Sequence, residues 1–131
     1  MRRALLIEVL RFLARDSDQQ VAWLEKYAQD VQAKGWAPHV QHPLKELTEW
    51  ILKIPWSADT PDDLLAVLEE LDAVTCLMWS ADSDFTTNES LREDPIWRVI
   101  RRLAQAALEH TSMATRQPPM EFWDVMEAVS D

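Results

Sequence analysis

The side chains best placed to do chemistry in this sequence are carboxylates. Glu46 and Glu49 stand three residues apart, and Glu69 and Asp72 repeat that spacing after nineteen intervening residues. Residues three apart share a helix face, so two such pairs on successive helices would offer four oxygen ligands to a hard ion such as Mg²⁺. A second acidic frame follows. Asp82, Asp84, Thr86, Asn88, Ser90 and Glu93 occupy positions 1, 3, 5, 7, 9 and 12 of an EF-hand-like loop. Thr87 stands where that loop needs glycine for its sharp turn, and Glu89 where an apolar residue normally faces the core, so tight Ca²⁺ binding is not expected. His39 and His42 lie in a proline-containing loop without a third ligand beside them. Cys76 is the single cysteine, which rules out an internal disulfide. It falls in the apolar run from Val74 to Trp79 and reads as a small core residue whose thiol burial would push up in pKa. No serine or cysteine has a recognisable base and orienting partner.

The paired carboxylates resemble the metal-binding pattern of the MazG-type nucleotide pyrophosphohydrolases, which are small, acidic, all-helical enzymes. That resemblance implies Mg²⁺-dependent hydrolysis of a nucleoside triphosphate, with Glu46, Glu49, Glu69 and Asp72 as ligands. It covers about a quarter of the chain. In the usual pattern the last aspartate follows Glu-Leu-Ala, whereas here Asp72 follows Glu70-Leu71 directly, and no lysine stands nearby for phosphate.

These residues must be carried by helices. With one glycine, Gly35, in 131 residues, a sheet joined by tight hairpins and a glycine-rich phosphate loop are both disfavoured. The seven prolines fall where helices begin or end. The spacing predicts a first helix over 2–15, with Leu5, Leu6, Val9, Phe12 and Leu13 on one stripe. Ser17 is the expected cap of a second, which carries Val21, Leu24, Tyr27, Ala28 and Val31 and stops at Gly35. A third runs from Pro43 to before Pro55, burying Leu44, Leu47, Ile51 and Ile54. Thr60-Pro61-Asp62-Asp63 opens the fourth with a threonine cap, a proline at the first position and two carboxylates on the positive end of the helix dipole. Its apolar positions, from Leu64 through Leu68, Leu71 and Thr75 to Met78 and Trp79, cover about half its circumference, which predicts the central helix. Asp94-Pro95 opens the fifth, with Ile96, Val99, Ile100, Leu103 and Ala107 inward. A last helix begins near Pro118-Pro119 and carries Phe122, Val125, Met126 and Val129. The expected fold is all-α, a single domain over 1–131 built as a bundle of five or six helices.

The charge is concentrated. Residues 59–94 hold eleven acids against one base, Arg92, a net of −10, while the other twelve acids and twelve bases cancel. Asp62, Asp63, Glu69 and Glu70 fall opposite the apolar stripe of the fourth helix, with Ala66, Ala73 and Leu77 among them. A one-sided acidic field attracts a basic partner and repels nucleic acid and anionic membranes. No lysine or arginine lies between Ile54 and Leu91 to dilute it. Trp50, Trp79, Trp97 and Trp123 lie within helices, whereas Trp36 and Trp56 lie in connecting segments. Trp56 immediately precedes the acidic stretch and offers it an apolar anchor. Arg98, Arg101 and Arg102 make a basic edge on the fifth helix.

The expectation is a cytoplasmic, non-enzymatic protein-binding module without a cofactor, using Asp59, Asp62, Asp63, Glu69, Glu70, Asp82, Asp84 and Trp56 against a basic protein partner. Its most concrete form is an immunity-type inhibitor of a nuclease toxin, since such toxins carry basic clefts. The rival is the Mg²⁺-dependent hydrolase, and the third reading is a helical structural subunit whose acidic face is merely solvated.

Overall fold

The computed structural model describes residues 2–33, 43–53, 61–111 and 118–130. These form seven helices and no strand: α1 (Arg2–Ala14), α2 (Ser17–Ala33), α3 (Pro43–Lys53), α4 (Asp62–Ser80), α5 (Asn88–Glu93), α6 (Pro95–Glu109) and α7 (Phe122–Ser130). The all-α expectation holds, with one helix more than the expected maximum. The addition is α5, six residues capped by the Thr87 hydroxyl, which accepts from the Ser90 N–H at 3.0 Å. It buries a single side chain, Leu91, so it has no apolar period to read.

Helix ends follow from local hydrogen bonding. The cap of α2 is Asp16 rather than Ser17: its Oδ1 accepts from the Gln19 N–H at 2.9 Å, and a carboxylate suits the positive end of the dipole better than a hydroxyl does. Pro61, expected as the first residue of α4, is its N-cap instead, and its carbonyl accepts from the Leu65 N–H at 2.9 Å. Thr60, the expected cap, and Gly35, the expected stop of α2, lie outside the described residues. Asp94 caps α6 as expected, accepting from the Ile96 N–H at 3.2 Å ahead of Pro95. α7 starts at Phe122, not at the proline pair. The Met120 N–H is taken by Glu8 Oε2 at 3.3 Å, which ties the segment 118–120 to α1 outside the helix.

The helices close into a ring in which α6 packs on α1 and α4, α1 on α7, α7 on α3, and α3 on α4, while α2 lies against α5 and α7. The most heavily packed helix is therefore α6, which meets α1, α4 and α5, and not α4 as its long apolar stripe suggests. Ala104 and Ala107, both fully buried, add little bulk to the inward face of α6. One apolar core joins all seven helices, with Trp97 of α6 at 0% exposure. Trp97 meets Trp79 of α4 edge-to-face, centroids 6.4 Å apart, and donates its indole N–H to the Phe85 carbonyl at 2.9 Å.

Three inward assignments are corrected. Ala28, assigned to the apolar stripe of α2, is exposed, while Val21, Leu24 and Tyr27 of that stripe are buried. Val99 is 45% exposed, because the buried arc of α6 is centred on Trp97, Ile100, Ala104 and Ala107, and Val99 lies about 120° from its middle at 100° per residue. Cys76 is exposed, since helical phase sends Thr75 and Met78 inward and turns Cys76 and Leu77 out. No helix among the described residues is long and apolar enough to cross a membrane.

Candidate functional site

The acids of α4 form its outward face. Asp62, Asp63, Glu69, Glu70 and Asp72 are all exposed, as are Ala66, Ala73 and Cys76 between them, and Leu77 stands 69% exposed in the same face. At 1.5 Å per residue the nineteen-residue helix carries this surface over about 28 Å. Its last turn contains no base, and Asp82 and Asp84 follow immediately, both exposed. Negative charge beside the negative end of a helix dipole costs stability. So does the like-charged pair Glu69 and Asp72 at three-residue spacing. Asp62, Asp63, Glu69 and Glu70 form no ion pair with any described residue. Arg92, the one base of the stretch, reaches out of it: its Nε lies 3.2 Å from Asp18 Oδ1 on α2. The field of α4 is therefore not neutralised within the described residues. Asp59 and Trp56, assigned to the same surface, lie outside them.

The other expected constellations come apart. Among the described residues no three His, Cys, Asp or Glu side chains gather closely enough to hold a metal ion, so Glu46, Glu49, Glu69 and Asp72 form no shared set. Glu49 lies 4.0 Å from Lys45 within α3. Asp72 Oδ1 accepts instead from the Cys76 thiol at 3.3 Å. That hydrogen bond, followed by desolvation and the Asp72 charge, raises the thiol pKa. The expected direction is right and the expected cause, burial, is secondary. In the EF-hand-like frame, Asp84 Oδ1 accepts from the Thr86 N–H at 2.9 Å and from its hydroxyl at 2.6 Å, and α5 begins at position 7, so the second half of the frame is helical. His39 and His42 lie outside the described residues.

The basic edge of α6 divides. Arg98 and Arg102 are exposed and make no ion pair with a described residue. Arg101 turns inward, donating from Nε to Gln20 Oε1 at 3.1 Å and from Nη2 to the Leu91 carbonyl. Desolvation, then the nearby Arg98, pulls its pKa below the usual arginine value. It is a structural strut and not part of a binding edge.

One concavity had no signal in the sequence. A cleft of about 290 Å³ opens between α2, through Trp23, Lys26, Tyr27 and Asp30, and the segment of Pro119, Met120 and Glu121. Phe12 stacks on Trp23 with centroids 5.4 Å apart, and the Arg15 guanidinium lies 5.4 Å from the Trp23 ring. The walls meet across more than eighty residues of chain, a separation no local pattern encodes.

No protein-family model matches the chain, and no curated protein or solved structure matches it either.

Proposed function

We propose that this protein is a cytoplasmic, non-enzymatic binding module that captures a basic protein partner through the outward face of α4 and the acids that follow it. The observation that carries the reading is the row Asp62, Asp63, Glu69 and Glu70, which pairs with no base among the described residues, around exposed Ala66, Ala73 and Leu77. A solvated surface is served best by interspersed signs, yet this helix concentrates one sign at some cost in stability. An apolar strip within a charged surround is the make-up of a protein interface, in which the charges steer approach and the apolar centre holds the complex. In its most concrete form the module is an immunity-type inhibitor that occupies the basic cleft of a nuclease toxin, taking the place of nucleic acid.

The test is capture at low salt with the parent and with a variant carrying Asp62→Lys, Asp63→Lys, Glu69→Lys and Glu70→Lys. The parent is expected to retain a basic protein that the variant does not, and the captured protein's nuclease activity is expected to fall stoichiometrically as the parent is added. Equal capture by both would remove the acidic face from the function. Capture without inhibition would leave the binding module and discard the immunity-type form.

A further inference from the structure

Leu77 and Val99 are, at 69% and 45%, the two most exposed large apolar side chains among the described residues. They sit on neighbouring helices. The edge-to-face contact of Trp79 with Trp97 places the C-terminal end of α4 beside the N-terminal end of α6, so Leu77, two residues before one ring, and Val99, two after the other, lie at the same end of this antiparallel pair. They also lie on the same side of it. Trp79 reaches α3 through its bond to Thr48, and helical phase puts Leu77, Glu70 and Asp63 on the side of α4 away from that bond. Gln105 and Arg101 mark the flank of α6 that meets α1 and α2, and Val99 falls on the other, toward α4. Half-buried Val74 of α4 and Ile96 and Leu103 of α6 line the floor between them. Helical phase and burial thus outline an apolar groove along the seam of α4 and α6, with carboxylates on its α4 bank and Arg98 and Arg102 on the outer side of α6.

We infer that this groove receives an amphipathic helix of the partner, with an apolar stripe seated on Leu77 and Val99 and a basic flank lying along Asp63 and Glu70. The inference rests on the acidic face being an interface and adds the form of what it binds. A trough between two antiparallel helices accepts a third helix by interlocking side-chain ridges. The charges set its orientation, since a basic flank turned toward α6 would meet Arg98 and Arg102 and be repelled.

The probe is a labelled helical peptide with leucines at i, i+3, i+4 and i+7 and lysines on one flank, compared with a scrambled peptide of the same composition and with oligolysine, by fluorescence anisotropy on the full chain. The patterned peptide is expected to bind the parent about tenfold more tightly than the scrambled one. The double variant Leu77→Ser, Val99→Ser, whose fold is checked by circular dichroism, should lose about that factor for the patterned peptide, while oligolysine, which carries no apolar stripe, reports the acids alone. If the double variant binds the patterned peptide as the parent does, while the four-lysine variant loses it, the groove is overturned and the acidic-face reading stands. If the four-lysine variant keeps full affinity, both fall. A dimeric mass for the free protein, lost in the double variant, would instead give the groove to a second copy of this chain and overturn the inference.

Discussion

The indole Nε1 of Trp79 donates to the hydroxyl of Thr48 at 2.9 Å, and that hydroxyl donates in turn to the Leu44 carbonyl at 2.9 Å. This chain is the polar joint between α4 and α3, and it orients the whole outward face of α4. Thr48 is 1% exposed, so Thr48→Val keeps the shape and strands the Trp79 N–H. The expected cost is about 1–3 kcal/mol, measured as a lower urea midpoint with an unchanged slope. A Val variant as stable as the parent would show that the joint holds nothing together.

A second joint closes the end of α1. Gln20, fully buried, donates through Nε2 to the carbonyls of Phe12 and Leu13, each at 3.1 Å, while its Oε1 accepts from Arg101. It thereby gives the Leu13 carbonyl a donor at the helix end and adds a second donor to the Phe12 carbonyl, which also accepts from the Arg15 N–H at 3.2 Å. Replacing it with leucine should cost about 2–3 kcal/mol and speed amide exchange in the last turn of α1 and in α5, whose Leu91 carbonyl shares the same arginine. Unchanged exchange in both would contradict the joint.

Cys76 is exposed, yet its hydrogen bond to Asp72 favours the protonated thiol. An acid whose pKa is raised reaches its reactive thiolate only at higher pH. At mildly alkaline pH the parent should therefore be alkylated by iodoacetamide more slowly than its urea-unfolded form. Asp72→Asn should move the pH–rate profile toward lower pH. A profile identical in parent and variant would show that Asp72 does not hold the thiol.

Fold class was legible because helix periodicity and end signals are local. Asp94-Pro95 and Pro43 open helices as their residue types require, the stripe from Leu64 to Trp79 lies within one helix, and Asp62, Asp63, Glu69 and Glu70 are exposed as their phase requires. Local signals do not say which helix occupies the middle. α4 has the longer apolar stripe, but α6 packs against more of the bundle, meeting α1, α4 and α5, a property of pairs of helices that no single stripe encodes. Cys76 is exposed although its run is apolar, because a helix sends every such run through all its faces. The Glu8 bond to Met120 and the cleft at Trp23 join parts of the chain far apart in sequence and left no trace in it.

The account turns on the outward face of α4 being an interface, and the most direct measurement is the association rate of the basic protein captured at low salt, taken with the parent and with the four-lysine variant of Asp62, Asp63, Glu69 and Glu70. At low ionic strength the variant should associate slower by about one hundredfold, the middle of the range that electrostatic steering spans. At 1 M salt, where the screening length is about 3 Å, the two rates should converge. A four-lysine variant that associates as fast as the parent at low salt would contradict the account and reduce the acidic face to solvated surface.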